Sequence, residues 1–380
     1  MTTNAAGQAG KMDMNGNDLL ARAEQLAEAE DYQGAAAVYA EAARQGVPGA
    51  AIAYSEILIH LEDYATAEPV LREALAAGEA EARDWLADLL VQTGRAVEAA
   101  QLMEQAVGHE VAALRAATIW ADAVGDRERA EEWYRKAVER GEPGALNDFG
   151  TFLSEDDSRQ DEAEHLFRQA AEQGDALAFG NLGSLELDRG APEAAVAWLR
   201  RSLEAEDQTG STALLKLATA EAQLGNDDAA RELYDRAVTE RLAGAHVERA
   251  TFLVERGEDE AAEADFRAAV ENDDEGARYY YGEFLVNNDR VGEAVDHLDR
   301  AVADGSDAAH ETLAKIYLER GAIKAAEDHF KKSIAAGWLS AVFAYAGMLR
   351  SEGRGDEVAA LASEAERLGA TPDQIAELTG

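Results

Sequence analysis

The tripeptide Glu30-Asp31-Tyr32 returns as Glu62-Asp63-Tyr64, and the interval of 32 residues between the two copies runs through the rest of the chain. Three residues past each tyrosine stands an alanine, Ala35 and Ala67. The beat continues through Ala99, Ala130, Ala163, Ala195, Ala230, Ala262, Ala294 and Ala326 to Val358. In all units but the last a large apolar residue follows four positions later, from Tyr39 and Leu71 to Leu298 and Phe330, and a small one comes three positions after that. Spacings of four and then three put all three residues on one face of a helix. A second series marks another helix in every unit, with small residues at Ala23, Ser55, Ala87, Thr118, Gly150, Gly183, Ala218, Ala250, Gly282, Ala314 and Ala346. An alanine stands five positions earlier in all but the first unit, from Ala50 through Ala113 to Ala341. Small side chains at fixed positions let two helix backbones approach closely. A unit this short has no core of its own, so each helix pair must bury its apolar face on its neighbours.

Three segments carry a family likeness. Gly174-Asp175-Ala176-Leu177-Ala178-Phe179-Gly180-Asn181-Leu182-Gly183 has a glycine, alanine and Leu-Gly pattern. Gly141-Glu142-Pro143-Gly144-Ala145 opens its unit in a similar way, and Ile334-Ala335-Ala336-Gly337 ends a helix on Ala-x-Gly. On these residues the unit resembles the tetratricopeptide repeat, and more closely its Sel-one-like relative, over about residues 17–370. The units are shorter than the usual tetratricopeptide length of about 34 residues and lack its closing proline, which leaves the choice between the two labels open. The expected fold is all-α, a right-handed α-solenoid of about eleven antiparallel helix pairs. The resemblance implies that the first helices line an inner, concave surface.

The expected organisation is a disordered tail over 1–16, the solenoid over 17–370 and a short C-terminal capping helix over 371–380. The widest step, 35 residues between the sixth and seventh units, places a bend or seam near 204–212, with a longer loop as the alternative. At the end, Thr371, Pro372 and Gln374 stand as helix cap, first helical residue and third residue after the cap. Met1 to Gly16 are polar and small, unlike a secretory signal, and no stretch nears the ~18 consecutive apolar residues of a membrane span. The expected location is therefore cytoplasmic.

Composition narrows the function. The chain has no cysteine, which removes disulfides, thiolate nucleophiles and cysteine-held metals. Its 76 acidic and 35 basic residues leave a formal charge of −41, which opposes binding to nucleic acid or to an anionic membrane surface. The acidity reads either as steering for basic partners or as a solvated surface adapted to salt. No catalytic constellation assembles. His310-Glu311-Thr312-Leu313-Ala314 begins like a zinc-protease motif but has alanine where the second histidine belongs. Gly353-Arg354-Gly355 has Val358 in place of the third glycine of a phosphate loop, and Glu271-Asn272-Asp273-Asp274-Glu275-Gly276 lacks the alternating ligands of a calcium loop. His297 and His329, 32 residues apart, are either a shared metal pair or two packing side chains, since equivalent places hold Trp133 and Leu166.

The surface left for a partner is the first-helix stripe, about a third of a turn from the small packing residue. It holds Val254 in the eighth unit, Tyr279, Glu283 and Val286 in the ninth, Lys315 and Leu318 in the tenth, and Phe343 in the eleventh. An apolar seam edged with carboxylates suits a peptide with apolar anchors and basic flanks; the alternative is that these residues pack against the next helix. Some tetratricopeptide proteins grip a C-terminal carboxylate with lysines and asparagines on this stripe. Here Glu56, Asp84, Asp88 and Glu283 outweigh Arg115, Asn147 and Lys315, so such a clamp is not expected. The expectation is a non-catalytic protein-interaction scaffold, without metal or cofactor, whose partner is a protein or peptide and neither nucleic acid nor membrane. Its alternatives are an acidic regulatory subunit that sequesters a basic protein and a metal-dependent enzyme.

Overall fold

The computed structural model describes residues 16–106, 108, 110–205 and 212–379. Residues 1–15 of the expected tail and 206–211 of the expected seam lie outside the described residues, and Gly16 already begins a helix. The described residues form helix after helix, with no strand among them. They divide into two compact units, one ending at Asn181 and one beginning at Leu182.

Each repeat folds as two helices. Ala50–His60 with Tyr64–Ala76 and Ala277–Asn287 with Val291–Ala303 show the pattern. The small residues and the large knobs meet as the spacing requires: Ala35, Ala67, Ala99, Ala262, Ala294 and Ala326 have no exposed surface, nor do Leu71, Met103, Leu199 and Leu298. Asp31 and Asp63, the centre of the recurring tripeptide, are helix caps, accepting from the backbone N–H of Gly34 at 2.9 Å and of Thr66 at 3.2 Å. The glutamates before them, Glu30 and Glu62, have φ of 60°, a left-handed turn that glycine supplies at Gly94 and Gly225.

The fourth unit departs from the expected register. Ala113 is buried there as expected, with Ala112, Ala116 and Ala117 beside it, but Thr118 is exposed and Ala117, at 0% exposure, takes its place. The helix Ala112–Thr118 then continues as a π-helix over Ile119–Val124. The wider π turn absorbs one extra residue and brings Gly125 back into line.

Two helix starts show how neighbouring units are joined. The Glu142 carboxylate, 4% exposed, accepts from the backbone N–H of Ala113 at 3.1 Å and of Leu114 at 2.8 Å. It thereby satisfies N–H groups that the first turn of a helix leaves without partners. Thr371 and Gln374 form a reciprocal capping box, with N–H to side-chain distances of 2.8 and 3.3 Å. The helix they open, Pro372–Thr379, buries Leu378 in the cluster that holds Phe330 and Tyr345.

Candidate functional site

The proposed site residues all stand in the second compact unit. Val254 comes from the helix Ala245–Glu255, and Tyr279, Glu283 and Val286 from Ala277–Asn287. Lys315 and Leu318 come from Ala309–Glu319 and Phe343 from Leu339–Ser351. Lys315 is exposed; the other six are half-buried. Val254, Tyr279 and Val286 lie against the core built around Tyr281, Phe284 and Leu298, and Leu318 and Phe343 against the one around Phe330. Each apolar candidate therefore has one side in the core and one open. Val247, on the same stripe, is 6% exposed and has nothing to offer a partner.

Of the polar candidates, Glu283 is bonded to the next unit and Lys315 to its own helix. The Thr312 hydroxyl donates to the Glu283 carboxylate, and the Ser340 hydroxyl to Glu311. Lys315 Nζ lies 2.7 Å from Glu311. Comparable bonds join first helices elsewhere, from Asn181 to Asn147 at 2.8 Å and from Arg115 to Asp84 at 3.3 Å. Arg115 and Lys315, two of the bases a carboxylate clamp would need, are thus held by carboxylates of this chain. Sequence reasoning missed Tyr280, 46% exposed beside Tyr279 with ring centroids 5.3 Å apart. Burial, then the nearby Glu283 and Glu311 charges, push the Tyr279 phenol above its ordinary pKa. Burial likewise raises the Glu248 carboxyl on the preceding first helix. A hollow of about 440 Å³ opens at the start of this helix, lined by Asp273, Asp274, Glu275, Arg278, Tyr279 and Asp304. Arg278 bridges its two rims, 2.7 Å from Asp273 and 3.3 Å from Asp304.

His297 and His329 do not meet; each packs on a tyrosine, in line with the packing alternative. His329 faces His310 of its own unit, Nδ1 to Nδ1 at 3.0 Å, while Tyr317 stacks on its ring. His297 instead packs on Tyr281 at 4.6 Å. Among the described residues no three His, Cys, Asp or Glu side chains are placed to hold a metal. Burial lowers the pKa of all three histidines from 6.5. The facing charges of Arg300 and Arg278 act in the same sense on His297, and Lys332 on the other two, against Asp296, Glu293, Asp307, Asp299 and Asp328. The unfolded chain therefore binds protons first, and this contribution to stability is complete above pH 6.5 and is lost as the pH falls through the lower folded values. The unfolding midpoint is expected to drop between pH 7.5 and about 5.5, less steeply in His329→Leu; a thermal melt series with no such drop, or with equal slopes, contradicts this.

The tetratricopeptide-repeat sequence profile matches residues 57–117, 156–211, 247–310 and 285–341. Among curated proteins none matches the chain. Three solved structures are among those similar to this chain. Yeast Tom70 is 12% identical, with 97% of this chain and 95% of that one covered and a TM-score of 0.55. A monomeric mutant of IFIT1 with Gppp-AAAA is 15% identical, with 93% and 91% covered and a TM-score of 0.50. A tetratricopeptide repeat protein from Parabacteroides merdae is 18% identical, with 70% and 96% covered and a TM-score of 0.48. No helix among the described residues is long and apolar enough to cross a membrane. With more than half of its length matched by the profile, the chain belongs to the tetratricopeptide-repeat family.

Proposed function

We propose that this protein is a non-catalytic, cytoplasmic interaction scaffold that holds a partner protein or an extended peptide along the first helices of its eighth to eleventh units. Val254, Tyr279, Val286, Leu318 and Phe343 receive apolar anchors, while Glu283 and Lys315 set the polar register at the edge of the seam. The observation that supports this most is the half-burial of those five apolar side chains, with Val254, Val286 and Leu318 at matching places on successive first helices and Tyr279 matched by Phe343 two units on. An aromatic or aliphatic anchor that covers them gains burial without displacing the core. The neighbouring carboxylates favour basic flanks, and the charge of −41 argues against a ligand such as the Gppp-AAAA of the IFIT1 complex.

A second reading, sequestration of a basic protein by charge alone, draws on the pairing of basic side chains. Arg249, Arg256, Arg290 and Arg354 each already contact two carboxylates, which leaves the excess on the acidic side. Affinity capture at moderate and high salt separates the two. The groove reading expects a partner retained at high salt by the wild type and lost by Tyr279→Ala, Val286→Asp, Leu318→Asp with unchanged helicity. Capture of basic proteins that fade with salt and ignore the three substitutions would transfer the case to the second reading.

A further inference from the structure

The joints between helix pairs are not alike, and their difference follows the sequence. At four joints an arginine placed four residues before the repeat's buried alanine or valine reaches back to a glutamate of the preceding unit. That glutamate stands one residue after its own buried alanine. The pairs are Arg95–Glu68 at 2.9 Å, Arg159–Glu131 at 2.8 Å, Arg290–Glu263 at 2.7 Å and Arg354–Glu327 at 2.7 Å. Each arginine also holds a glutamate three residues on in its own helix, Glu98, Glu162, Glu293 or Glu357, at 2.5 to 2.7 Å. At the last two joints a tyrosine hydroxyl of the following unit joins in, Tyr281 to Glu263 and Tyr345 to Glu327, both at 2.9 Å. The glutamates stand at 68, 131, 263 and 327, two units apart within the first and last pairs and four units apart between them.

In the second compact unit the sixth-to-seventh and seventh-to-eighth joints carry other ion pairs, Arg200–Glu221 at 2.8 Å and Arg231–Glu258 at 2.5 Å. The ninth-to-tenth joint has Val295 and Ala322 at the two clamp positions, and no ion pair crosses it among the described residues. It is held by the Thr312–Glu283 hydrogen bond and by Arg320 Nη2 donating to the Val291 carbonyl at 3.3 Å, beside its apolar contacts.

We infer that the ninth-to-tenth joint is a hinge between two ion-clamped blocks, units eight with nine and ten with eleven, and that its opening sets the spacing of the candidate anchors. Val254, Tyr279, Glu283 and Val286 ride on one block, and Lys315, Leu318 and Phe343 on the other. A single exposed ion pair restrains little, but a guanidinium shared by two carboxylates, one of which also accepts from a phenol at the last two joints, fixes direction as well as distance. Glu327, held at a pKa of about 2 first by Arg354 and then by Lys331, stays ionised within its clamp. The link to partner spacing rests on the groove reading above, whereas the hinge does not.

The hinge can be measured with no partner present. Ala264, Asp296 and Asp328 are exposed and 32 residues apart on successive second helices, and the chain has no cysteine to compete for labels. Spin-label distances are compared between Ala264→Cys with Asp296→Cys, across a clamped joint, and Asp296→Cys with Asp328→Cys, across the unclamped one. The second distribution is expected to be roughly twofold wider at low salt, because fewer restraints oppose bending there. Installing the clamp with Val295→Glu, Ala322→Arg and Ala325→Glu is expected to narrow it to the width of the first. Should that variant fail to fold, Arg290→Gln provides the converse, widening the first distribution. Equal widths in the parent chain, or widths that ignore both the added and the removed clamp, overturn the hinge. A hinge confirmed while the groove variant still binds its partner overturns only the groove.

Discussion

Phe330→Ala is expected to lower the unfolding free energy by about 3–5 kcal/mol, the usual cost of emptying a large aromatic site in a packed interior. Phe330 is 1% exposed, and its ring lies 5.9 Å from that of Tyr345 in the following helix pair. It shares a cluster with Ala314, Ala326, Ile334, Ala346 and Met348, so truncation strips contacts from the tenth and eleventh units together. The distribution of the loss is as informative as its size. In a stacked array stability is close to a sum of unit terms and nearest-neighbour terms. Native-state hydrogen exchange should therefore lose protection first over the helices Ala309–Glu319, Ile323–Ala335 and Leu339–Ser351, with smaller changes in Ala245–Glu255. An even loss from Leu182 onward would mean that the second compact unit unfolds as one body, and the nearest-neighbour account would fail.

The fold was legible because its determinants are local and repeated. A buried alanine, a knob four residues on and a small residue three beyond that can be counted along the chain. Each such triplet, from Ala35-Tyr39-Ala42 to Ala326-Phe330-Ser333, is buried in the structure. Counting failed in the fourth unit for a physical reason. Thr118 is seven residues before Gly125, the interval found at Ala87 and Gly94, so the spacing looked regular. A π turn hides one extra residue inside the helix, and only the burial of Ala117 in place of Thr118 reveals it. The charged residues that turn left-handed at Glu62, Arg241 and Asp273 were equally hidden, since composition favours glycine there.

The candidate site was legible as a stripe and not as a set of contacts. Periodicity placed Val254, Val286 and Leu318 at one level, but it could not say how far the next helix covers them, because coverage depends on joint geometry. Nor could it show that Thr312 and Ser340 already occupy the carboxylates of Glu283 and Glu311. The histidines mark the same boundary. A shared repeat position suggested His297 with His329, yet side chains meet across the two helices of one pair, which brings His310 to His329. The clamp was available as a sequence signal: a glutamate, an arginine 27 or 28 residues later and a second glutamate three beyond, at two- and four-unit intervals. It marks only some of the joints, so a search tuned to 32 residues averages it away.

Alanine substitution at two helix glycines is expected to shift stability in opposite directions. In a helix interior alanine is favoured over glycine by about 1 kcal/mol, through the backbone entropy glycine loses on folding. At Gly347, where a methyl group would meet nothing within 4 Å, that gain should appear almost whole. At Gly183 the same methyl would sit 2.4 Å from Cγ and 2.6 Å from Cδ2 of Leu199, a knob with no exposed surface and no room to retreat. Overpacking of that kind costs about 1–3 kcal/mol, more than the propensity returns, so Gly183→Ala should destabilise. Gly282, whose added methyl would lie 2.7 Å from Leu298, should follow Gly183. The cause can be isolated by a double-mutant cycle. In a Leu199→Ala background the clash is gone, and Gly183→Ala should then gain stability as Gly347→Ala does, giving a coupling of at least about 1 kcal/mol. Denaturant midpoints for the four chains of the cycle decide it. If Gly183→Ala stabilises the parent chain, the small residues of the first helices serve chain flexibility, and close approach of the paired helices is not what selects them.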